Sequence, residues 1–278
     1  SMFDKEAIQE LSKAEAITAA HVCVQAAIEA GNAVALPSDF QLHEVEKLLP
    51  HRRRVRGAMK TSVLADFSAF TKAHAEPGAT VFVAPDQMSA TAILNLGGHE
   101  SPGHADNTAT LTLLRTAAYS ALLAIANGAG QKQATVAEFV EDWAGQVQCF
   151  SGSEEVTPPK AIAAIRKITI EAMRKMESAE QQLSATRSAF EHVQATSGPD
   201  PLPTHIYFRC EPYHGLDERT FILRLAVLTG GDKPAISLRI VKAEEHQEEM
   251  AGELAARVTE SLTDSSVPVH LGSYQPKA

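Results

Sequence analysis

The chain has 278 residues, 44% of them apolar, with 34 acidic against 25 Lys and Arg side chains, a formal charge of -9 and a pI near 5.7. That is enough apolar material for one large or two modest cores, and the acidic balance excludes indiscriminate nucleic-acid binding, which draws on excess basic side chains. Cys23, Cys149 and Cys210 are few, odd in number and far apart, so a reducing compartment is expected rather than a disulfide framework.

Ser1-Met2 reads as a remnant of tag removal ahead of the natural start, and nothing after it resembles a signal peptide. Asp4 can cap a first helix running to about Ala30, with Ile8, Leu11, Ile17 and Val24 along it and Gly31-Asn32 as the stop. Val34 to Leu36 and the stretch from Arg52 to Met59 read as extended. Ser62 then caps a helix carrying Val63, Phe67 and Phe70 at helical spacing. Thr80 to Val83 and Thr91 to Leu96 are expected strands around a Pro85-Asp86 turn.

Thr108 to Leu114 should form another strand, followed by a helix from about Thr116 to Asn127 that Gly128 and Gly130 terminate. Its most apolar stretch, Ala117 to Ala126, is too short to span a bilayer, so no membrane role is expected. Thr135-Val136-Ala137-Glu138 has the form of a capping box, with Phe139, Trp143 and Val147 on one face behind it. Ser151 to Glu155 reads as a polar linker. Pro158-Pro159 suit the first turn of a long helix to Val193, along which a heptad register fits from Ile162 and Ile165 onward, either as an internal packing helix or as an intermolecular seam.

Ser197 to Pro201 is a break. His205 to Cys210, Phe221 to Leu228 and Ala235 to Val241 follow as strands, the last alternating Ile236, Leu238 and Ile240 inward, with Thr229 to Asp232 as a hairpin turn. A final helix from about Ala243 to Leu262 carries an apolar stripe of Met250, Leu254, Val258 and Leu262, and its acidic run reads as a solvated face. The expected class is α+β, with mixed, largely antiparallel sheets, packed helices and one long central helix. Expected divisions are 2–150, 151–197 and 198–278, or one continuous domain.

Two segments could carry chemistry. The loop from Gly97 to Thr108 crowds His99, Glu100, His104, Asp106 and Asn107 together. Two imidazoles and a carboxylate can ligate a divalent ion and activate water, yet the spacing of His99, His104 and Asp106 matches no zinc signature. Asp106-Asn107-Thr108 also reads as a turn feeding a strand, after a bend at Pro102-Gly103. The second segment is His51 to Gly57, the one dense basic stretch. If extended, it sends Arg52, Arg54 and Arg56 to one side, to meet phosphates, an acidic partner, or simply solvent at a strand edge. Cys149 beside Phe150 reads as a buried inert thiol, and Cys210 to Leu216 as a turn whose Tyr213 packs. The sequence lacks G-x-S-x-G, the P-loop, H-E-x-x-H and C-x-x-C.

Arg56 to Thr61, Ala65-Asp66-Phe67, Asn95-Leu96-Gly97, Pro102 to Ala109, Glu141-Asp142-Trp143, Ala164 to Ala172, Pro212 to Leu216, Leu238 to Val241 and Gln247 to Ala251 together resemble the YfdQ-type proteins of phages and prophages. That family has no assigned activity. The resemblance implies an accessory product acting in the cytoplasm of a bacterial host, and it includes Pro102 to Ala109 but not His99 or Glu100. It supplies no catalytic residues and no cofactor is expected. Three functions follow as expectations. The first is a self-assembling, non-enzymatic binding protein that blocks a host defence protein or sequesters a small nucleotide signal. The second is a nucleic-acid-associated factor of phage replication or recombination using Arg52 to Arg56. The third is a metal-dependent hydrolase at His104 and Asp106.

Overall fold

Alternation of apolar and polar side chains decides several of the strands. The computed structural model describes residues 5–30, 46–168, 201–228 and 235–275, and the chain falls into two units, Ser1–Val55 and Arg56–Ala278. In the first, α1 (Lys5–Ala30) exposes nearly every described side chain, and a short 3-10 turn spans Glu46–Leu48. The expected strand at Val34 to Leu36 lies outside the described residues.

The second unit is α+β and built on two sheets. The first comprises β1 (Gly57–Thr61), β2 (Thr80–Ala84), β3 (Ser89–Ile93), β4 (Asn107–Thr112) and β11 (Val269–Leu271), in the order β1-β4-β3-β2-β11. The β1–β4 and β2–β11 pairs are parallel and the others antiparallel, with Gly57 opposite Asn107 and Ile93 opposite Thr108. Helices α2 (Leu64–His74) and α6 (Ala243–Ser261) pack together, α2 on β4 and β1 and α6 on β11. Phe67, Val81, Val83, Leu111, Leu254 and Val258 are buried between these layers.

The second sheet is antiparallel throughout: β5 (Gln131–Lys132), β6 (Val147–Ser151), β7 (Glu154–Val156), β8 (His205–Cys210), β9 (Arg219–Leu228) and β10 (Ala235–Ile240), in the order β5-β10-β9-β8-β6-β7. It therefore draws strands from both sides of positions 150 and 198. On β8, buried Ile206, Phe208 and Cys210 alternate with the more open His205, Tyr207 and Arg209. Helices α3 (Ala117–Ile125), α4 (Gln133–Asp142) and α5 (Pro158–Lys167) cover this sheet. Thr116 caps α3 by accepting from Tyr119 N at 3.2 Å. Trp143, half-buried at the end of α4, stands edge-on to Phe208 at 6.0 Å, and Phe139 stacks on the same ring at 5.4 Å.

Several local expectations yield to longer-range pairing. Lys132, not Thr135, is the N-cap of α4, because Gln131 and Lys132 pair with β10 and the helix starts directly after them; the capping box does not form. Val147 and Cys149 belong to β6 rather than a helix end, and the segment from Ser151 to Glu155 is the β6–β7 hairpin, turned at Gly152 with φ 62°. Val63 replaces Ser62 as the N-cap of α2, and Thr61 Oγ1 accepts from Val63 N at 3.1 Å. Ser89 to Ile93 sets β3 three residues shorter than expected at its far end, because the chain turns at Leu94 and Asn95.

Helix α5 has its two prolines at the start, as the sequence implies, but ends at Lys167, where Ile168 becomes extended. Gln133 Nε2 donates to the carbonyls of Ile165 at 3.1 Å and Ile168 at 2.7 Å, satisfying acceptors that a continuing helix would have used. The heptad positions from Thr169 to Val193 lie outside the described residues, as do Thr229 to Asp232. The strands flanking that turn pair as a hairpin, Leu228 opposite Ala235. No described helix is long and apolar enough to cross a membrane.

Phe208 is fully buried beneath two aromatic neighbours, whereas Arg209 points to the opposite face and meets Glu218 in an exposed ion pair. Phe208→Ala should cost about 3–5 kcal/mol and Arg209→Ala no more than about 1 kcal/mol, both read from urea denaturation followed by Trp143 fluorescence. Equal losses would contradict the facing of β8.

Candidate functional site

The loop joining β3 to β4 is shaped by one buried residue. Asn95 Nδ2 donates to Asp106 Oδ1 at 2.9 Å, and Asn95 Oδ1 accepts from Asn107 N at 3.0 Å. The Asn95 carbonyl also accepts from Ala105 N at 3.2 Å, and Gly103 N donates to the Leu96 carbonyl at 2.8 Å. One amide side chain thus ties the outgoing and returning limbs of the loop. Asn95 and Asn107 are buried at 6% and 3% exposure while His104 and Asp106 stay exposed.

Close backbone approach explains the glycines. A Cβ at Gly103 would stand 1.9 Å from the Asn95 carbonyl oxygen, and one at Gly78 would stand 2.4 Å from that of Gly97. Ala105 takes a left-handed conformation with φ 54°, unusual for a residue with a side chain, and holds it while buried. Gly97 pairs with Pro102 and Gly98 N donates to the Ser101 carbonyl at 3.1 Å, closing the tip that carries His99. The tip and His104 therefore lie on different turns of one folded loop.

Of the residues singled out in the sequence, the structure brings Asp106 and Asn107 together through Asn95. It does not gather His99, His104 and Asp106 into a coordination sphere. Among the described residues no group of three His, Cys, Asp or Glu side chains could hold a metal ion. Asn95 is the residue that sequence reasoning passed over as part of a strand. Its signal was present only as the triplet Asn95-Leu96-Gly97, at the end of an apolar run.

No strand forms across the arginine segment. Bends at Arg53 and Arg54 interrupt the segment, and β1 begins only at Gly57. Arg53 N donates to Glu46 Oε1 at 3.2 Å, which turns the chain away from an extended path. Arg52 and Arg54 belong to the first unit and Arg56 to the second, and neither Arg54 nor Arg56 is free of partners.

A cavity of about 300 Å³ opens elsewhere, lined by Ser62 to Ala65, Leu113, His214 to Leu216, Leu254 and Arg257. Its one arginine is already engaged: Arg257 Nη2 meets Asp217 Oδ1 at 2.7 Å and Arg257 Nε donates to Glu253 Oε1 at 3.0 Å. Glu253 also binds Arg219 Nη2 at 2.7 Å and accepts from Asp217 N at 2.6 Å, and Glu249 reaches Arg219 Nη1 at 3.3 Å. The acidic run of α6 is accordingly a partner surface for two arginines, not a wholly solvated face. Two carboxylates on Arg257 leave the cavity with little net attraction for an anion.

The cysteine and tyrosine chemistry is quiet. Burial pushes the Cys149 thiol up to about 11 and Cys210 up to about 12, so both stay protonated at neutral pH. Burial likewise raises Tyr119 to about 12, between the rings of Tyr213 and Phe221. His205 is lowered from its ordinary value, first by burial and then by Arg224.

If the loop is as tightly wound as these contacts imply, Gly103→Ala should cost about 2–3 kcal/mol through the forced clash with Asn95. His104→Ala, one residue on, should stay within about 0.5 kcal/mol. Urea denaturation of the two variants beside the parent decides it, and a neutral Gly103→Ala would contradict the close approach.

No curated protein and no solved structure matches the chain. A family model described as an uncharacterized conserved protein, DUF2303, matches residues 4–274. The chain belongs to that DUF2303 family.

Proposed function

We propose that this chain is a phage or prophage accessory protein of the YfdQ type that acts by binding and self-assembly in the bacterial cytoplasm, and that it uses the loop between Asn95 and Asn107 to engage a host protein. The observation that carries the reading is the contrast within that loop. Its inner residues are buried and hydrogen-bonded, while His104 and Asp106 are held outward on a backbone that has little freedom to move. A pre-ordered loop loses less conformational entropy on docking than a mobile one. The exposed His104 imidazole, beside an Asp106 carboxylate anchored by Asn95, presents hydrogen-bonding groups to a protein surface.

The loop's form favours a protein over a small nucleotide. Small ligands are held in concave, mostly apolar sites, whereas His104 and Asp106 lie exposed on a turn. The cavity beside His214 has the size for a small ligand but an arginine committed to Asp217 and Glu253. Blocking of a host defence protein is therefore the reading preferred over sequestration of a nucleotide signal.

The test is capture from lysogenic or infected cells using the tagged full chain, with His104→Ala and Asp106→Ala in parallel. The reading expects a discrete host protein in the parent sample, reduced at least about tenfold by either substitution, with the unfolding midpoint unchanged in His104→Ala and lowered in Asp106→Ala, which also removes the acceptor of Asn95 Nδ2. Capture unaffected by both substitutions would remove the loop from the binding surface. A bound nucleotide in place of a protein, found by mass spectrometry of the denatured parent, would favour the His214 cavity instead.

A further inference from the structure

We infer that the outer face of the second sheet is a binding surface for single-stranded nucleic acid, with Arg209, Arg224 and Arg239 meeting phosphates and Phe150 and Tyr207 meeting bases. The surface belongs to the sheet of β5 to β10, so it is separate from the loop between β3 and β4. Helices α3, α4 and α5 pack on the other face, where Phe139 stacks on Phe208. Strand register then places the outer residues. Arg239 lies opposite Arg224, Arg224 opposite His205, and His205 opposite Phe150. Directly opposite residues share a face, so one row crosses four strands over about 14 Å. Tyr207 and Arg209 follow on the same face of β8, alternating with the buried Ile206, Phe208 and Cys210.

Charge selects a polyanion. Arg224 and Arg239 are both exposed, and like charges directly opposite each other oppose sheet stability. Among the described residues neither is paired with a carboxylate. A bound phosphate would relieve that repulsion. His205 is lowered from its ordinary value by burial and then by Arg224, so at neutral pH it stays uncharged and leaves the positive charge to the arginines. Lys132, exposed opposite Ala235, adds to the same side, and these cations outnumber the carboxylates beside them, Glu155 and Glu218. Glu218 holds Arg209 at 2.7 Å in an exposed pair, which a phosphate can replace at little cost. In a chain of charge -9, such a patch confines polyanion contact to one place.

The aromatic side chains select single strands. Phe150 and Tyr207 are partly exposed, with ring centroids 4.8 Å apart. Rings beside arginines are what unpaired bases stack on, whereas a duplex keeps its bases stacked inside. Gln148, exposed opposite Tyr207, offers an amide to a base edge. An open sheet face suits a strand lying across it better than a free nucleotide, which is held in a concave site.

Fluorescence anisotropy of labelled oligo(dT) and oligo(U), about twelve nucleotides long, titrated with the full chain at low salt, tests this. Binding should weaken steeply as salt rises. Arg224→Ala with Arg239→Ala should weaken it at least about tenfold and flatten the slope of log affinity on log salt by about 1.4, as loss of two phosphate contacts requires. Tyr207→Leu should weaken it about fivefold or more with the slope unchanged, because stacking and not charge is lost. Arg166→Ala, an exposed arginine of α5 on the helical side of the sheet, should leave affinity unchanged, with unfolding midpoints confirming that each variant folds. Tighter binding of either oligonucleotide supports the surface and says which sugar it accepts. No binding of either at low salt overturns the proposal in favour of an acidic protein partner, and equal losses in Arg166→Ala and the arginine pair overturn it as contact without a site.

Discussion

A single buried amide organises the most distinctive part of this molecule. Asn95 uses its side chain to join Asp106 to Asn107 and its carbonyl to hold Ala105, so the departure from β3 and the entry into β4 are fixed together. Because β4 lies between β1 and β3, the same clasp sets the register of the first sheet at its loop end, where Gly57 N donates to the Asp106 carbonyl at 3.0 Å. Losing a buried amide with several partners would strand donors and acceptors at about 1–3 kcal/mol each. The glycines at 78, 97 and 103 are then consequences: backbone must pass where a side chain would not fit.

The second organising contact is ionic and ties α6 to the turn before β9. Arg219 and Arg257 share Glu253, and Asp217 closes the set. With Arg219 and Glu253 largely buried, such a group is costly to break at one member and gives direction more than net stability. It orients α6 so that Met250, Leu254 and Val258 face the core. Loop and ion cluster both spend polar groups on structure, Asp106 among them through Asn95, while His104 stays exposed beside it.

What was legible in the sequence follows the range of the forces involved. Alternation made β8 and β10 readable, because burial of one face acts residue by residue: Ile236, Leu238 and Ile240 are buried as their spacing implies. Thr116 as the cap of α3 and the paired prolines opening α5 were equally local. The capping box at Thr135 was overridden by a strand pair formed with residues about a hundred positions away. The acidic stripe of α6 hid its role for the same reason, since the arginines it binds include one on β9. At the loop, the entry of Asn107 and Thr108 into a strand could be read, but not Asn95, whose partners meet it only after the chain has folded back. Proximity in sequence made His99 look like a ligand, and the Gly97–Pro102 closure places it on a separate turn.

The central claim is that the loop from Asn95 to Asn107 is held rigid from within. Amide hydrogen exchange at Gly103 and Ala105 reads this most directly, since their N–H groups donate to the carbonyls of Leu96 and Asn95. The account predicts protection at both positions approaching that of central amides in β3 and β4, and its loss in Asn95→Ala. Exchange at Gly103 and Ala105 as fast as in an unstructured peptide, with the sheet amides still protected, would contradict it.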